Sequence, residues 1–365
     1  MSTPRIGRAY HEALILDFVR RKAPVGRSDL SLALGLNPAA VGTIVTRLIG
    51  QGLVRETGLL PSRGGARGGR RRVGVELVES TCYAGGLLFW RSGFVATLIN
   101  PKGAIAGTLA ENFDQPLARL SPGILRHRVI AAMGALGDQV PSHATLLGWG
   151  LGIPGWYPRD LDWASFAADL SGVTAASRIY MANNAVAAAL GAWFAGEDLL
   201  EDDKRILFVY LGGGVGGSVV TRACAGDVPS FTSVELGHIG IDPNGPPCYC
   251  GSRGCLEQVV GSLIGHGAGD HADPLGRALG YGLRNLAVAL DIPTVVVGGR
   301  SLGLVPAQAF DALATTMGRP LKPVRVRGSR ATYDMQAVGA ATLVFHRYLA
   351  AATGEAPGGL WPPSA

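Results

Sequence analysis

The segment ELGHIGIDPNGPPCYCGSRGCLEQ, residues 235–258, contains one histidine and three of the five cysteines of the chain. One imidazole nitrogen and three thiolate sulfurs form a ligand set that suits tetrahedral zinc. Four protein ligands leave no open position for water, which is typical of a structural rather than a catalytic site. The alternative is three reduced structural cysteines without a metal. The predicted zinc ligands are His238, Cys248, Cys250 and Cys255.

The elements that must position this loop are predicted to be of α/β type beyond residue 78. Strand-like apolar runs alternate there with alanine-rich helical runs, among them ATLLGWGLGIPGW, NNAVAAALGAWFAG, RILFVYLGGGVGGSVV and TVVVGGRSLG. Five glycines between positions 212 and 217 directly follow one predicted strand. Such a run either lets the backbone approach a phosphate or forms a tight turn between strands, and the pattern favours neither. The other two cysteines, Cys82 and Cys224, are expected to be small buried residues.

The N-terminal segment predicts three helices. Apolar residues between Gly7 and Lys22 share one helical face, which predicts the first helix. Ser28 is the predicted N-cap of a second helix that breaks at Gly35, and Asn37–Pro38 opens a third. The predicted buried stripe of the third helix is Val41, Ile44, Val45, Leu48 and Ile49.

A basic segment follows these helices. Val54 and residues 73–77 predict two strands around an arginine-rich tip, for which a disordered linker is the alternative. Residues 1–75 carry 13 lysines and arginines against 4 acids, a balance of +9, whereas the rest carries 20 against 23, a balance of −3. Together the helices, tip and charge predict a winged helix-turn-helix that binds double-stranded DNA. The predicted DNA contacts are Arg27, Thr43, Thr46, Arg47, Arg67, Arg70 and Arg71.

Bulk properties predict a cytoplasmic protein of two or three domains. The chain has 365 residues, of which 47% are hydrophobic, so it can bury more than one core. His11, Glu12 and Asp17 interrupt the apolar residues near the N-terminus, which therefore lacks the core of a signal peptide. A reducing compartment favours metal-bound cysteines over disulfides.

The pattern ELGH followed by C-x-C-G-x-x-G-C-x-E resembles the ROK family, whose name joins repressors, open reading frames and sugar kinases. Support comes from GIPG at 152–155, NNAVAAALGAW from Asn183, LGGGVGGS from Leu211 and VVVGG at 295–299. The resemblance covers nearly all of the chain beyond residue 78. It implies a two-lobed actin-like, ribonuclease-H-like body around a ligand cleft, and the N-terminal winged helix is similar to that of the family's transcriptional repressors.

The resemblance also implies a sugar site. Carboxylates and an imidazole on a metal-fixed loop can exchange hydrogen bonds with sugar hydroxyls. The alternative is that the two acids only cap helices. Val234 stands where the family has a glycine, which leaves the identity of the sugar open. The family's sugar contacts fall on Asn183, Glu235, His238 and Glu257, with His238 serving both metal and sugar.

Three departures from the family's kinases argue against catalysis. Asn184 replaces the aspartate that acts as general base, and an amide cannot take that proton. Leu88 aligns with the aspartate of the first phosphate loop, and Gly213 replaces the threonine of the second. Because losing a general base alone removes about 10²- to 10⁴-fold in rate, the sequence predicts no enzymatic activity and no catalytic residues.

These patterns predict a sugar-responsive transcriptional repressor of carbohydrate metabolism genes. The predicted domains are the winged helix-turn-helix at 1–77, a kinase-like effector-binding and dimerisation domain at 78–350 and a tail at 351–365. The expected partners are a DNA operator, a sugar or sugar derivative and further copies of the chain in a dimer or tetramer, with no membrane. The alternatives are an ATP-dependent sugar kinase with an extra DNA-binding domain and a ligand-independent DNA-binding scaffold.

Overall fold

The computed structural model describes residues 4–61, 72–155, 162–172, 178–201, 203–222, 228–265, 271–318, 324–329 and 333–351. Three sheets organise these residues, one of three strands and two of five strands. Among the described residues, no helix combines the length and the apolar character that crossing a bilayer requires. The tip residues Arg67, Arg70 and Arg71, together with Cys224, lie outside the described residues.

The three-stranded sheet and three helices form the N-terminal part. In strand order β1-β3-β2 it pairs Val54 with Leu77 in antiparallel fashion, which confirms the predicted pairing of these strands. Ile15 and Val19 of the first helix and Leu30 of the second pack against a buried stripe of the third. The elements are α1 Pro4–Lys22, β1 Val25–Gly26, α2 Arg27–Leu34, α3 Pro38–Gly50, β2 Val54–Leu59 and β3 Val73–Leu77.

Helices α2 and α3 form the predicted helix-turn-helix. Gly35 ends α2 with a φ of 64°, and Asn37 caps α3 by accepting a hydrogen bond from the Ala39 amide at 2.8 Å. The prediction of Ser28 as an N-cap is wrong, since α2 begins at Arg27 and its N-cap is Gly26. The Gly26 amide donates a hydrogen bond to the Asp29 carboxylate at 3.1 Å, so a side chain in the first turn of α2 satisfies the amide of the N-cap residue. The predicted stripe is buried at Val41, Ile44, Val45 and Leu48, with Ile49 half-buried.

The first five-stranded sheet has the strand order β6-β5-β4-β7-β8. The pairs β4–β7 and β7–β8 are parallel, whereas the pairs β4–β5 and β5–β6 are antiparallel. Helices α4 and α5 cover one of its faces, where Leu125 and Phe166 pack on Phe89 and Trp149. A 3₁₀ turn at Leu117–Arg119 precedes α4. The elements are β4 Cys82–Trp90, β5 Gly93–Ile99, β6 Ile105–Asn112, α4 Pro122–Gly137, β7 Thr145–Ile153, α5 Trp163–Ser171, β8 Ile179–Asn183 and α6 Asn184–Phe194.

The second five-stranded sheet has the strand order β11-β10-β9-β12-β13. Helices α7, α8 and α9 cover its outer face, where Leu256, Leu279 and Leu313 pack on Leu207 and Val295. The elements are β9 Arg205–Leu211, β10 Val215–Thr221, β11 Ser230–Val234, α7 Leu256–Gly265, α8 Ala272–Ala289, β12 Thr294–Gly298, α9 Ala307–Met317, β13 Arg325–Gly328 and α10 Tyr333–Ala351.

Helices α6 and α10 fill the space between the two large sheets. Their buried side chains share one core with Ala84 of the first sheet and Phe208 of the second. Gly150 of β7 allows α10 to lie directly on the first sheet, because a Cβ there would meet the Ala340 carbonyl oxygen at 1.8 Å. This helix layer between two sheets confirms the predicted α/β class. Cys82 is buried as predicted, and burial raises the pKa of its thiol to about 11.

Candidate metal centre and ligand cleft

The loop between β11 and α7 brings the predicted metal ligands together. A 3₁₀ turn, Leu236–His238, opens the loop, and Cys255 directly precedes α7. Backbone bridges from Gly240 to Cys255 and from Pro247 to Arg253 fold the loop back on itself. As a result the ligand atoms of four side chains all lie within 4.8 Å of one another: those of His238, Cys248, Cys250 and Cys255.

The spacing of these atoms fits a tetrahedral ion. Cys248 Sγ lies 3.5 Å from His238 Nδ1, and Cys250 Sγ lies 3.6 Å from Cys255 Sγ. Zinc bonds of about 2.3 Å to sulfur and 2.0 Å to nitrogen place tetrahedral ligands about 3.5–3.8 Å apart. Burial and the neighbouring sulfurs raise the pKa of Cys255 to about 12, so its thiolate is unfavourable without a nearby cation. A bound metal ion would remove this penalty, because a coordinating thiol is deprotonated. The cluster can therefore bind a metal ion.

A cleft of about 730 Å³ extends from this loop to the first five-stranded sheet. It is lined by the ends of strands from both large sheets and by the first residues of α6. The sequence-predicted residues that line it are Leu88, Asn183, Asn184, Gly213, Val234, Glu235, His238 and Glu257. Sequence reasoning missed other lining residues, which come from distant segments that no local pattern connects: Trp90, Arg91, Arg119, Tyr249 and Gln336.

Asn183 and Glu235 meet across the cleft at Gly155. A Cβ at Gly155 would lie 2.6 Å from Asn183 Nδ2 and 3.0 Å from both carboxylate oxygens of Glu235, so a side chain there would displace them. Asn183 Oδ1 caps α6 by accepting a hydrogen bond from the Ala185 amide at 2.7 Å. Glu235 is exposed to the cleft, but its surroundings bury it enough to raise its pKa, a shift that His238 opposes and Glu257 adds to.

Glu257 links the metal loop to the glycine-rich turn. The Val215 amide donates a hydrogen bond to its Oε2 at 2.9 Å, and the Tyr249 hydroxyl donates one to its Oε1 at 2.6 Å. Both bonds reach outside α7, so Glu257 does more than cap its own helix. Burial and this hydrogen bond raise the pKa of Tyr249, which keeps the phenol protonated as a donor. The Tyr249 ring also lies edge-on to His238, with centroids 5.1 Å apart.

The positions that depart from the kinase pattern also lie in the cleft. Asn184 Nδ2 donates a hydrogen bond to the Phe89 carbonyl at 2.9 Å, so its amide nitrogen is committed to the backbone of β4. Leu88 is 2% exposed and packs on Val95. The glycine run forms a tight turn between antiparallel strands β9 and β10, as one of the two interpretations predicted, and it lines the cleft. Its approach to a phosphate stays a prediction.

The predicted DNA contacts divide into exposed and paired residues. Thr43 and Thr46 are exposed on α3. Arg47 pairs with Glu12 of α1, and Arg27 pairs with Glu56 of β2 at 3.0 Å. Because partly exposed ion pairs contribute only about 0–1 kcal/mol, both arginines can exchange a carboxylate for a phosphate at low cost.

Comparison with known proteins points to one family. Residues 161–262 match the model of the ROK family. The chain is 28% identical over 267 residues to the xylose repressor of Bacillus spizizenii, covering 68% of this chain and 64% of that protein. It thus spans less than two thirds of the length of that repressor. A shorter segment is 36% identical over 110 residues to the glucokinase of Thermotoga maritima, covering 30% of this chain and 34% of that protein.

A solved structure shares the fold over nearly the whole chain. It is a ROK family transcriptional regulator, a homologue of the E. coli MLC protein, with a TM-score of 0.66 at 17% identity, covering 95% of this chain and 99% of the other. This likeness includes the N-terminal helices as well as the two large sheets. Residues 161–262, which contain the whole metal loop, thus resemble the ROK family, and the fold of the chain resembles that of this regulator.

Proposed function

We propose that this protein is a DNA-binding transcriptional regulator that represses carbohydrate metabolism genes and responds to a sugar or sugar derivative. The observation that carries the proposal is that the side chains predicted to contact a sugar line one cleft, together with Asn184 at the position predicted for the general base. The helix-turn-helix on the same chain provides a surface for an operator. The similarity to xylose repressors supports the same role.

For the effector, we expect a ligand whose neighbouring hydroxyls meet both donors and acceptors. Asn183 Nδ2 donates hydrogen bonds, and the carboxylate of Glu235 accepts them. His238 and Glu257 complete the set from the metal loop. A ligand without matching hydroxyls leaves these groups unpaired, and that cost provides selectivity for sugars.

For the metal centre, we propose one structural zinc per chain. The loop from 239 to 255 buries few apolar side chains, so a metal would supply the rigidity that its own packing does not. Ligation through His238 Nδ1 keeps the imidazole proton on Nε2, which makes the ring a hydrogen-bond donor for the cleft. The same side chain would then join the metal centre to the effector.

We infer that the cleft does not transfer phosphate. Asn184 offers no carboxylate to take a proton, and Leu88 offers no oxygen where a kinase would hold its metal and nucleotide. The similarity to a glucokinase supports the alternative of a sugar kinase with an extra DNA-binding domain. A coupled assay of ADP release with D-glucose and D-xylose separates the two, and sugar-dependent turnover would favour the kinase.

We propose that two or more copies act together on DNA. A helix-turn-helix reads one half-site, and paired half-sites about 34–36 Å apart need a symmetric pair of such domains. The test of the function is selection of bound sequences from a random DNA library by the full-length protein. Enrichment of a palindromic sequence that D-xylose, D-glucose or another sugar releases supports the proposal, and no enriched sequence at physiological salt would contradict it.

A further inference from the structure

Arg20 of α1 anchors the N-terminal part to the body. Its guanidinium lies over the rings of Phe194, at 4.1 Å, and Trp193, at 4.8 Å, and its Nη1 donates a hydrogen bond to the Phe194 carbonyl. The side chain is only 6% exposed and pairs with Asp17, which is 1% exposed, at 2.9 Å. The pair with Asp17 lies within α1, whereas the Phe194 carbonyl and the two aromatic rings join Arg20 to the body.

The contact lies at the far end of the helix that begins in the effector cleft. Helix α6 starts at Asn184, with Asn183 as its N-cap, and ends at Phe194. Every residue from Ala185 to Phe194 is buried. Eleven residues span about 16 Å, so α6 has its first residue in the cleft and its last residue in contact with Arg20.

The packing around α6 transmits displacement. A Cβ at Gly339 of α10 would lie 1.8 Å from the Ala187 carbonyl, so the two helices touch through their backbones. The Phe345 ring of α10 stacks on Phe194 at 5.8 Å with an angle of 8° between the rings. Close-packed interiors are stiff, and a shift of the first turn of α6 therefore reaches Phe194 instead of being absorbed on the way.

The remainder of the interface between α1 and the body is loosely packed. A cavity of about 290 Å³ lies beside Arg20. Leu16 and Leu53 line it from the N-terminal part, and Cys82, Leu147 and Phe345 line it from the body. Because a void forfeits dispersion attraction, this interface resists reorientation less than a close-packed one, and Arg20 is a specific polar contact beside the void.

We propose that Arg20 is a positioning residue that couples the cleft to the helix-turn-helix: displacement of the first turn of α6 weakens the interaction of Arg20 with Phe194 and frees α1 to move. This inference rests on the proposed function for its biological meaning. The physical coupling itself requires neither an operator nor a known sugar, so it can be tested even if the proposed function fails.

The test uses a small steric wedge in the full chain. A Cβ at Gly216 of β10 would lie 2.9 Å from Ala185 Cβ and would press on the first turn of α6. The neighbouring Gly217 is a matched control, because a Cβ there would meet Val234 Cγ2 at 2.7 Å and its three nearest atoms all belong to Val234 and Leu236, outside α6. Amide hydrogen exchange in residues 10–22 reports the docking of α1. If Gly216→Ala does not fold, Ala185→Ser adds an atom on the helix side of the same contact.

The second arm of the test removes the anchor. Arg20→Met removes the guanidinium and leaves Asp17 paired with Arg21. The matched control is Arg21→Met, because Arg21 also binds Asp17, at 2.7 Å, but is 22% exposed.

We expect Gly216→Ala to speed amide exchange in α1 at least about threefold in the wild-type and Arg21→Met backgrounds, and less than about 1.5-fold in the Arg20→Met background. Gly217→Ala should leave α1 unchanged throughout. Equal acceleration with and without Arg20, or none in the wild type, would overturn the proposal. Loss of operator binding in the wild type would instead contradict the proposed function alone.

Discussion

Several cleft residues combine a structural contact with a ligand-facing position. Asn183 caps α6 with its oxygen and places its nitrogen beside Gly155, and Glu257 accepts hydrogen bonds from both the β9–β10 turn and Tyr249. The motif predicted these positions because its residue types and spacing are distinctive. Tyr249 was missed although it stands between two cysteines, because its hydroxyl finds Glu257 only once the loop has folded.

The metal centre gives the first prediction. Cys250→Ser should lower zinc content well below one ion per chain and reduce the Tm by about 5–10 °C, because metal binding contributes to folding stability. Elemental analysis of freshly purified protein and thermal unfolding measure these changes. Cys82→Ala is the control. Cys82 is buried away from the metal cluster, so this variant protein should keep its zinc. Wild-type protein that contains no zinc would refute the assignment.

Tyr249 gives the second prediction. Tyr249→Phe removes the 2.6 Å hydrogen bond that orients Glu257 while keeping the ring against His238. Loss of one such bond costs about 0.5–1.5 kcal/mol, so the affinity for the effector sugar should fall about 2- to 12-fold with zinc content unchanged. Calorimetry measures the sugar affinity. Tyr281→Phe, on the exposed surface of α8, should leave it unchanged, and an unaltered affinity in Tyr249→Phe would show that this bond does not serve the ligand.

At the scale of helices and strands, short sequence patterns predicted the features that neighbouring residues determine, namely helix ends and buried faces. The Asn37 cap, the αL glycine at Gly35 and the buried stripe of α3 follow from propensity and periodicity. The cap of α2 was mistaken because Ser28 and Asp29 both favour a helix start, and the longer carboxylate arm of Asp29 reaches the Gly26 amide. The hydrogen bond from Arg20 to Phe194 joins residues 174 positions apart, so no window of sequence could reveal it.

The third prediction concerns helix α3. Arg47→Ala should lower operator affinity by about 1–3 kcal/mol and relax the preference at one base pair, if Arg47 exchanges Glu12 for a base edge when DNA binds. Competition against single-base variants of the selected sequence measures both effects. Arg128→Ala removes an arginine that pairs with Glu111 in the body, at equal change of net charge. The same loss in both variants would mean that only overall charge matters.

At the scale of the whole molecule, the two large sheets with a shared helix layer place one cleft between distant parts of the chain. The sequence predicted this architecture through the family resemblance, whereas the alternation of strands and helices alone predicts only the α/β class. The proposed boundary near residue 78 falls between the end of β3 at Leu77 and the start of β4 at Cys82. Under the proposed function, we expect DNA affinity to reside in the basic N-terminal part.

The fourth prediction follows from that charge distribution. Operator affinity of the full chain should fall steeply with salt, because phosphate neutralisation releases counterions. Replacing Arg70 and Arg71 together by alanine should weaken binding to all sequences and reduce the salt slope by about 2, one for each phosphate that is no longer neutralised. Fluorescence anisotropy between about 50 and 200 mM salt, as in other DNA-binding proteins, covers the useful range. A slope unchanged in the double variant would show that these residues do not meet phosphate.

The central claim is that a sugar in the cleft controls binding of DNA, and operator affinity measured with and without the sugar tests it most directly. The comparison uses full-length wild type and Glu235→Gln, which replaces a carboxylate that faces the cleft and is far from the helix-turn-helix in sequence. We predict at least about tenfold weaker operator binding in the presence of sugar for the wild type, a coupling of about 1.4 kcal/mol, and less than about twofold for the variant. Equal release in both proteins, or an operator affinity that no cleft-bound sugar changes, would contradict the account.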